Sequence, residues 1–173
     1  MRSHFIKLKY SLIYQAHNIP NDMNNHKIAE VLNDLVQINT DRIAVYENAL
    51  TKIEEVYKSL EPLFNRMIKE SKEYVNALIS EISKLDGRVV KSAPASGKIY
   101  RSWADVKATL TSGDERPTLN TCETLENATQ LAYEDALDEE GLSAEIHSLI
   151  SKQKGALLGA HGHIKQLLEI ASY

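Results

Sequence analysis

Two heptads 87 residues apart carry nearly the same residues: Ala-Val-Tyr-Glu-Asn-Ala-Leu at 44–50 and Leu-Ala-Tyr-Glu-Asp-Ala-Leu at 131–137. A repeat constrains architecture before any single residue is interpreted, because two similar stretches of one chain fold into similar units that bury their apolar faces together. At the same offset Leu32 aligns with Leu119, Leu35 with Cys122, Ile38 with Leu125 and Tyr46 with Tyr133. Asn39 aligns with Glu126, each seven residues ahead of its tyrosine. Further on, the offset slips to 88 and matches Glu81-Ile82 with Glu169-Ile170. The chain reads as two copies of one helical hairpin related by a pseudo-twofold axis.

Apolar residues at helical spacing predict four long helices. The first covers 25–52, with Ile28, Val31, Leu32, Leu35, Ile38, Tyr46, Ala49 and Leu50 on one stripe. The second covers about 60–85, with Leu60, Phe64, Met67, Tyr74, Val75, Leu78, Ile82 and Leu85 inward, Pro62 in its first turn and Gly87 as its stop. The third covers about 115–138, capped by Ser112 or Asp114, with Leu119, Cys122, Leu125, Tyr133 and Ala136 inward. A tight turn at 138–143 leads to the fourth, 143–171, with Ile146, Leu149, Ile150, Leu157, Ile164, Leu167 and Leu168 inward. Between the hairpins, Ile99, Trp103, Val106 and Leu110 share one face of a short amphipathic helix. A hairpin, a crossover of nearly 30 residues and a second hairpin predict an all-α, ferritin-like four-helix bundle; an up-down-up-down bundle wants three short loops.

Twenty basic against 24 acidic side chains leave a net charge of −4, which gives no electrostatic ground for binding nucleic acid or an anionic membrane. No apolar run approaches the roughly 18 residues of a bilayer-spanning helix. The single cysteine, Cys122, excludes an internal disulfide and suits a reducing, cytoplasmic setting. Residues 1–22 start basic, and polar residues break their apolar stretch. They read as a loosely ordered extension or an over-long gene start, with the bundle occupying 23–173. No phosphate loop, paired-cysteine zinc spacing or Ser-His-Asp pattern is present, so hydrolase and nucleotide chemistry find no foothold.

Di-metal bundles of this shape draw one Glu from each of two helices and a Glu-x-x-His from each of the others. Glu70 and Glu73 on the second helix, Glu126 on the third and His161 on the fourth are the candidates here for iron or manganese. The set is incomplete: Asn39 stands where a Glu is wanted, and Leu158 stands opposite Glu70. The absence of any cofactor is therefore the leading expectation. His161 and His163, two apart on a helix, diverge and hold no metal jointly. The same inward face supports a second reading, a buried polar network or a small-molecule pocket lined by Asn39, Arg42, Tyr46, Thr129, Tyr133 and Gln153. In the network version Arg42 pairs with Glu126, so that no buried charge is left uncompensated. Tyr46 and Tyr133 are then core residues whose hydroxyls each find a partner, and Cys122 is a small core hydrophobe.

The motifs Leu-Asn-Asp-Leu-Val-Gln-Ile-Asn-Thr-Asp-Arg-Ile-Ala-Val-Tyr-Glu-Asn-Ala at 32–49, Ile-Tyr-Arg-Ser-Trp-Ala-Asp-Val-Lys at 99–107, Cys-Glu-Thr-Leu-Glu-Asn-Ala-Thr-Gln-Leu-Ala-Tyr-Glu-Asp-Ala-Leu at 122–137 and Lys-Gln-Lys-Gly-Ala-Leu-Leu-Gly-Ala-His-Gly-His at 152–163 carry a resemblance. From about Asn25 to its C-terminus the chain resembles a bacterial ferritin-like four-helix-bundle family that is itself a domain of unknown function. Members usually carry close to His-Arg-Gly-Trp on the crossover; this chain keeps Arg101, Trp103 and Lys107 and places Tyr100 and Ser102 at the other positions. Arg101, Trp103 and Lys107 are the expected anchors of the crossover. The resemblance implies the ferritin-like fold and no particular reaction.

The expectation is a non-catalytic bundle protein, stress-related in role, that acts by homo-oligomerisation or by binding an unidentified protein partner and has an eroded di-metal site. The alternatives are an iron or manganese carboxylate protein that handles metal, oxygen or peroxide, and a binder of a small ligand in the bundle centre.

Overall fold

The computed structural model describes the backbone of residues 2–51, 55–85, 97–111 and 119–171, and the side chains of residues 23–51, 58–85, 97–108 and 119–169. Among the described residues all regular structure is helical: α1 (Arg2–Thr51), a 3-10 turn (Glu55–Leu60), α2 (Glu61–Lys84), α3 (Lys98–Thr111), α4 (Leu119–Leu137) and α5 (Ala144–Ala171). The backbone of α1 runs on through the N-terminal stretch without a break. The proposed stop at Gly87 and the proposed caps Ser112 and Asp114 lie outside the described residues.

The inward stripes of the sequence form the core. Leu32, Leu35, Ile38, Tyr46, Met67, Leu78, Ile82, Cys122, Leu125, Tyr133, Ala136, Ile150, Leu157 and Ile164 lose essentially all contact with solvent. Burial at roughly 25 cal/mol per Å2 of apolar surface is what drives amphipathic helices like these together. Pro62 lies in the first turn of α2, where its missing N–H costs no hydrogen bond. Ser143 caps α5, its hydroxyl accepting the Ile146 N–H at 3.2 Å. Gly141 takes φ +88° in the α4–α5 turn, and Asn24 donates its side-chain N–H to the Gly141 carbonyl at 3.3 Å. That tie, with the ion pair between Lys27 and Glu139, fastens the start of α1's described face to the far end of α4.

Helix directions follow from which residues meet. Arg42 and Tyr46 of α1 face Ser71 and Phe64 of α2, so these two run antiparallel. Lys27, Asn39 and Arg42 meet Glu139, Tyr133 and Glu126 of α4, and that pair is antiparallel as well. Lys84, Tyr74 and Arg66 of α2 meet Glu145, Gln153 and His163 of α5, again antiparallel. It follows that α2 and α4 point the same way, so the chain between them must travel the length of the helices. The helix α3 lies on that path and rests on α1 and α4.

Two aspartates of α1, seven residues apart, hold α3. Asp34 accepts backbone N–H groups at the start of α3, from Gly97, Ile99 and Tyr100, the last at 3.1 Å. A carboxylate there satisfies donors that the helix cannot satisfy itself. Burial pushes the Asp34 carboxyl above its usual range, and the three N–H groups pull it part of the way back. Asp41 takes the Trp103 indole N–H at 3.0 Å, the Tyr100 hydroxyl at 3.1 Å and the Lys107 ammonium at 2.8 Å. Trp103 and Lys107 thus reach the same carboxylate, whereas Arg101 lies on the exposed side of α3.

The Asp34 carboxylate comes so close to Gly97 that a Cβ there would collide with it, and Asp34 is buried and held by three N–H bonds. Gly97→Ala should therefore destabilise the protein by about 1–3 kcal/mol through overpacking. Urea unfolding followed by the fluorescence of Trp103, the single tryptophan, measures the loss and shows whether α3 loosens.

Candidate functional site

The centre of the molecule is polar. Arg42 of α1 and Glu126 of α4 are both 0 % exposed and form a two-pronged ion pair, Nε to Oε1 at 2.8 Å and Nη2 to Oε2 at 3.1 Å. The remaining terminal nitrogen, Nη1, donates to the Ser71 hydroxyl at 2.5 Å and the Met67 carbonyl at 3.2 Å, both on α2. Tyr46 donates its hydroxyl to Glu126 Oε1 at 2.6 Å, and its ring centroid lies 5.3 Å from the guanidinium carbon. Burial works against the charged arginine, yet the Glu126 carboxylate together with the Tyr46 and Tyr133 hydroxyls outweighs it and holds the guanidinium above its ordinary value. Among the described residues, the helix faces that put Arg42 and Glu126 inward pair each charge with the other.

One helical turn or two away, the second tyrosine repeats the motif with the halves exchanged. Asn39 donates to the Tyr133 hydroxyl at 2.8 Å and to its own Leu35 carbonyl at 2.8 Å. Tyr133 donates its hydroxyl hydrogen bond to the Gln153 side-chain oxygen on α5 at 2.8 Å. Gln153 in turn donates to the Tyr74 carbonyl of α2 at 3.4 Å. The tyrosine of each half therefore bonds the residue seven places ahead of the tyrosine in the other half: Tyr46 with Glu126, Tyr133 with Asn39. Thr129, which aligns with Arg42, is too short to cross between helices and bonds back to the Leu125 carbonyl at 2.8 Å.

The metal candidates do not converge. Both oxygens of Glu126 are engaged by Arg42 and Tyr46. Glu73 faces solvent on α2, and Glu70, half-buried, lies 3.8 Å from Arg66. His161 is buried on α5, and its Nε2 has no partner among the described residues. Among the described residues no three His, Cys, Asp or Glu side chains are placed to hold one metal ion. Among the described residues Glu70, Glu73, Glu126 and His161 do not share one site, and the reason is register. Leu60 just ahead of α2 and Phe64, Met67, Ser71 and Leu78 within it are buried at the same intervals as Ile146, Ile150, Gln153, Leu157 and Ile164 of α5, an offset of 86. The offset of 88 placed Glu70 opposite Leu158 and Glu73 opposite His161, but Leu158 is 60 % exposed. Two residues turn an α-helix by about 200°, so inward and outward positions exchange.

Several participants escaped the sequence reading. Ser71 and the Met67 carbonyl complete the arginine's partners, and Asp34, Asp41 and Gly97 fasten α3. Asp34 and Asp41 carried a signal: two acidic residues at heptad spacing beside an apolar stripe, with no basic partner on α1 to explain them. The Asn39 side-chain oxygen is buried without a partner among the described residues.

A family model described as Domain of unknown function (DUF2383) matches residues 27–139, more than half of the chain, and the protein belongs to that family. The match takes in α1 from Lys27 through α4 and stops before α5. No curated protein matches the chain.

Glu126→Ala should cost about 3–5 kcal/mol, because it leaves Arg42 charged and buried without its counter-ion. Replacing the pair by apolar residues together, Arg42→Met with Glu126→Leu, should cost much less, which a double-mutant cycle of urea midpoints would show. The site also sets an alkaline limit. Burial raises the hydroxyls of Tyr46 and Tyr133 above their ordinary 10.0, and burial with the neighbouring Glu126 pushes the Cys122 thiol from 9.0 up to about 12. Each group keeps its proton in the folded state at pH values where the unfolded chain has lost it. The stability that depends on these three groups staying protonated is therefore fully present below pH 9.0 and is lost as pH rises through the range from 9.0 to about 12. Tyrosinate absorbance during an alkaline titration should appear for Tyr46 and Tyr133 together with unfolding and not before it.

Proposed function

We propose that this member of the family is a non-catalytic, ferritin-like four-helix bundle protein in which an arginine fills the position where related architectures hold metal, and which works by self-association or by binding a protein partner. The observation that carries the reading is the pairing of Arg42 with both oxygens of Glu126. The one inward carboxylate on α4 already has a full set of donors, and a metal would have to displace a guanidinium and a tyrosine to reach it. The ferritin-like reading is supported by antiparallel α1–α2 and α4–α5 hairpins, with α2 and α4 parallel across a long connection. An associating role would draw on Leu131 and Leu158, 61 % and 60 % exposed on α4 and α5.

The test is elemental analysis of untagged protein from cells grown with added iron, manganese and zinc, combined with sedimentation. Metal-free protein that associates, and that dissociates in the Leu131→Glu/Leu158→Glu variant, is the expected result. Stoichiometric metal that disappears in Glu126→Ala and His161→Ala would sink the reading in favour of a metal protein.

A further inference from the structure

Four oxygen atoms surround the Arg42 guanidinium: Glu126 Oε1 at 2.8 Å, Glu126 Oε2 at 3.1 Å, Ser71 Oγ at 2.5 Å and the Met67 carbonyl at 3.2 Å. The Tyr46 ring lies 5.3 Å from the guanidinium carbon. Little of this seat depends on the arginine being present. Tyr46 holds Glu126 Oε1 at 2.6 Å independently of Arg42, the Met67 carbonyl belongs to the backbone of α2, and Ser71 is fully buried on the same helix.

We propose that this seat is a guanidinium-selective cation site, occupied by the protein's own Arg42, and that it keeps its selectivity when the arginine side chain is removed. The inference rests on the reading above in one respect, that an organic cation and not a metal belongs at the centre. Its shape argues the selectivity. The four oxygens bond three different nitrogens of one planar fork, so they are spread around a group several ångströms wide. A divalent metal needs its oxygens at about 2.0–2.6 Å from a single point. An ammonium presents all its donors from one atom and cannot reach the same oxygens together. An aromatic ring beside the seat favours a flat, weakly hydrated cation over a strongly hydrated one.

The experiment is chemical rescue of the full-length Arg42→Ala protein. Its melting temperature is measured with guanidinium or ethylguanidinium at concentrations far below those that denature, and in parallel with ammonium, tetramethylammonium or manganese(II). Wild-type protein receives the same additions. Guanidinium ions should restore most of the lost melting temperature of Arg42→Ala, saturably, while leaving wild type unchanged; the other cations should not. If Arg42→Ala does not fold alone, recovery of its helical circular dichroism on adding ethylguanidinium reads the same equilibrium. Arg42→Lys should melt close to Arg42→Ala, and Arg42→Ala/Glu126→Gln should lose the rescue. Absence of saturable recovery, equal recovery with ammonium or manganese(II), or rescue that persists without the Glu126 charge would overturn the proposal. Metal-free wild-type protein that neither self-associates nor binds a protein partner would defeat the functional reading and leave this one standing; rescue of Arg42→Ala by manganese(II) would defeat this one alone.

Discussion

A charge placed where water cannot reach it must find its counter-charge in the protein, and in this molecule that requirement falls on Arg42 and Glu126. The two come from different hairpins, and the arginine's remaining donors go to a third helix, so one ion pair relates α1, α2 and α4 at once. A slip of either hairpin by one turn would leave both charges buried and alone. Hydrophobic burial draws the helices together without caring much about their register; the pair discriminates among the registers that burial permits. Buried ion pairs of this kind often add little net stability over apolar residues of similar volume.

The pair also explains how a twofold repeat became an asymmetric interior. Two tyrosines at equivalent places each reach across to the other half, and their partners, Glu126 and Asn39, are equivalent as well. Two carboxylates at those places would face each other across a dry core. With Asn39 in one half and Arg42 where the other half has Thr129, the centre carries one negative and one positive charge in place of two negatives. Symmetry survives in the aromatic residues, which tolerate it, and is broken at the ionisable ones, which do not.

Outside the pair, the crossover is organised by a separate economy of hydrogen bonds. Asp34 closes the start of α3 and Asp41 gathers an indole, a phenol and an ammonium, so a 14-residue helix too short to be stable alone is held on the flank of α1 and α4. Gly97 belongs to that device through its lack of a side chain, which lets the Asp34 carboxylate approach.

The helices and their inward faces were legible in the sequence because helical periodicity is a local property: the spacing that makes Leu32, Leu35 and Ile38 a stripe is the spacing that buries them. The Arg42–Glu126 pair was legible for a related reason, since two opposite charges on inward stripes have few ways to be satisfied. Tertiary structure decided what depends on the relation between segments. The α2–α5 correspondence runs at 86 residues, and with it Glu73 turns outward and Leu158 meets solvent. Ser71 enters the centre, although as one serine among polar neighbours it carries no mark of its role in the sequence. The Met67 carbonyl is an acceptor that every residue possesses, and only the approach of Arg42 singles it out. Periodicity along a chain can say which face of a helix is buried; which residues meet across the core depends on the axial and rotational setting of one helix against another, and packing together with the neutralisation of buried charge makes that choice.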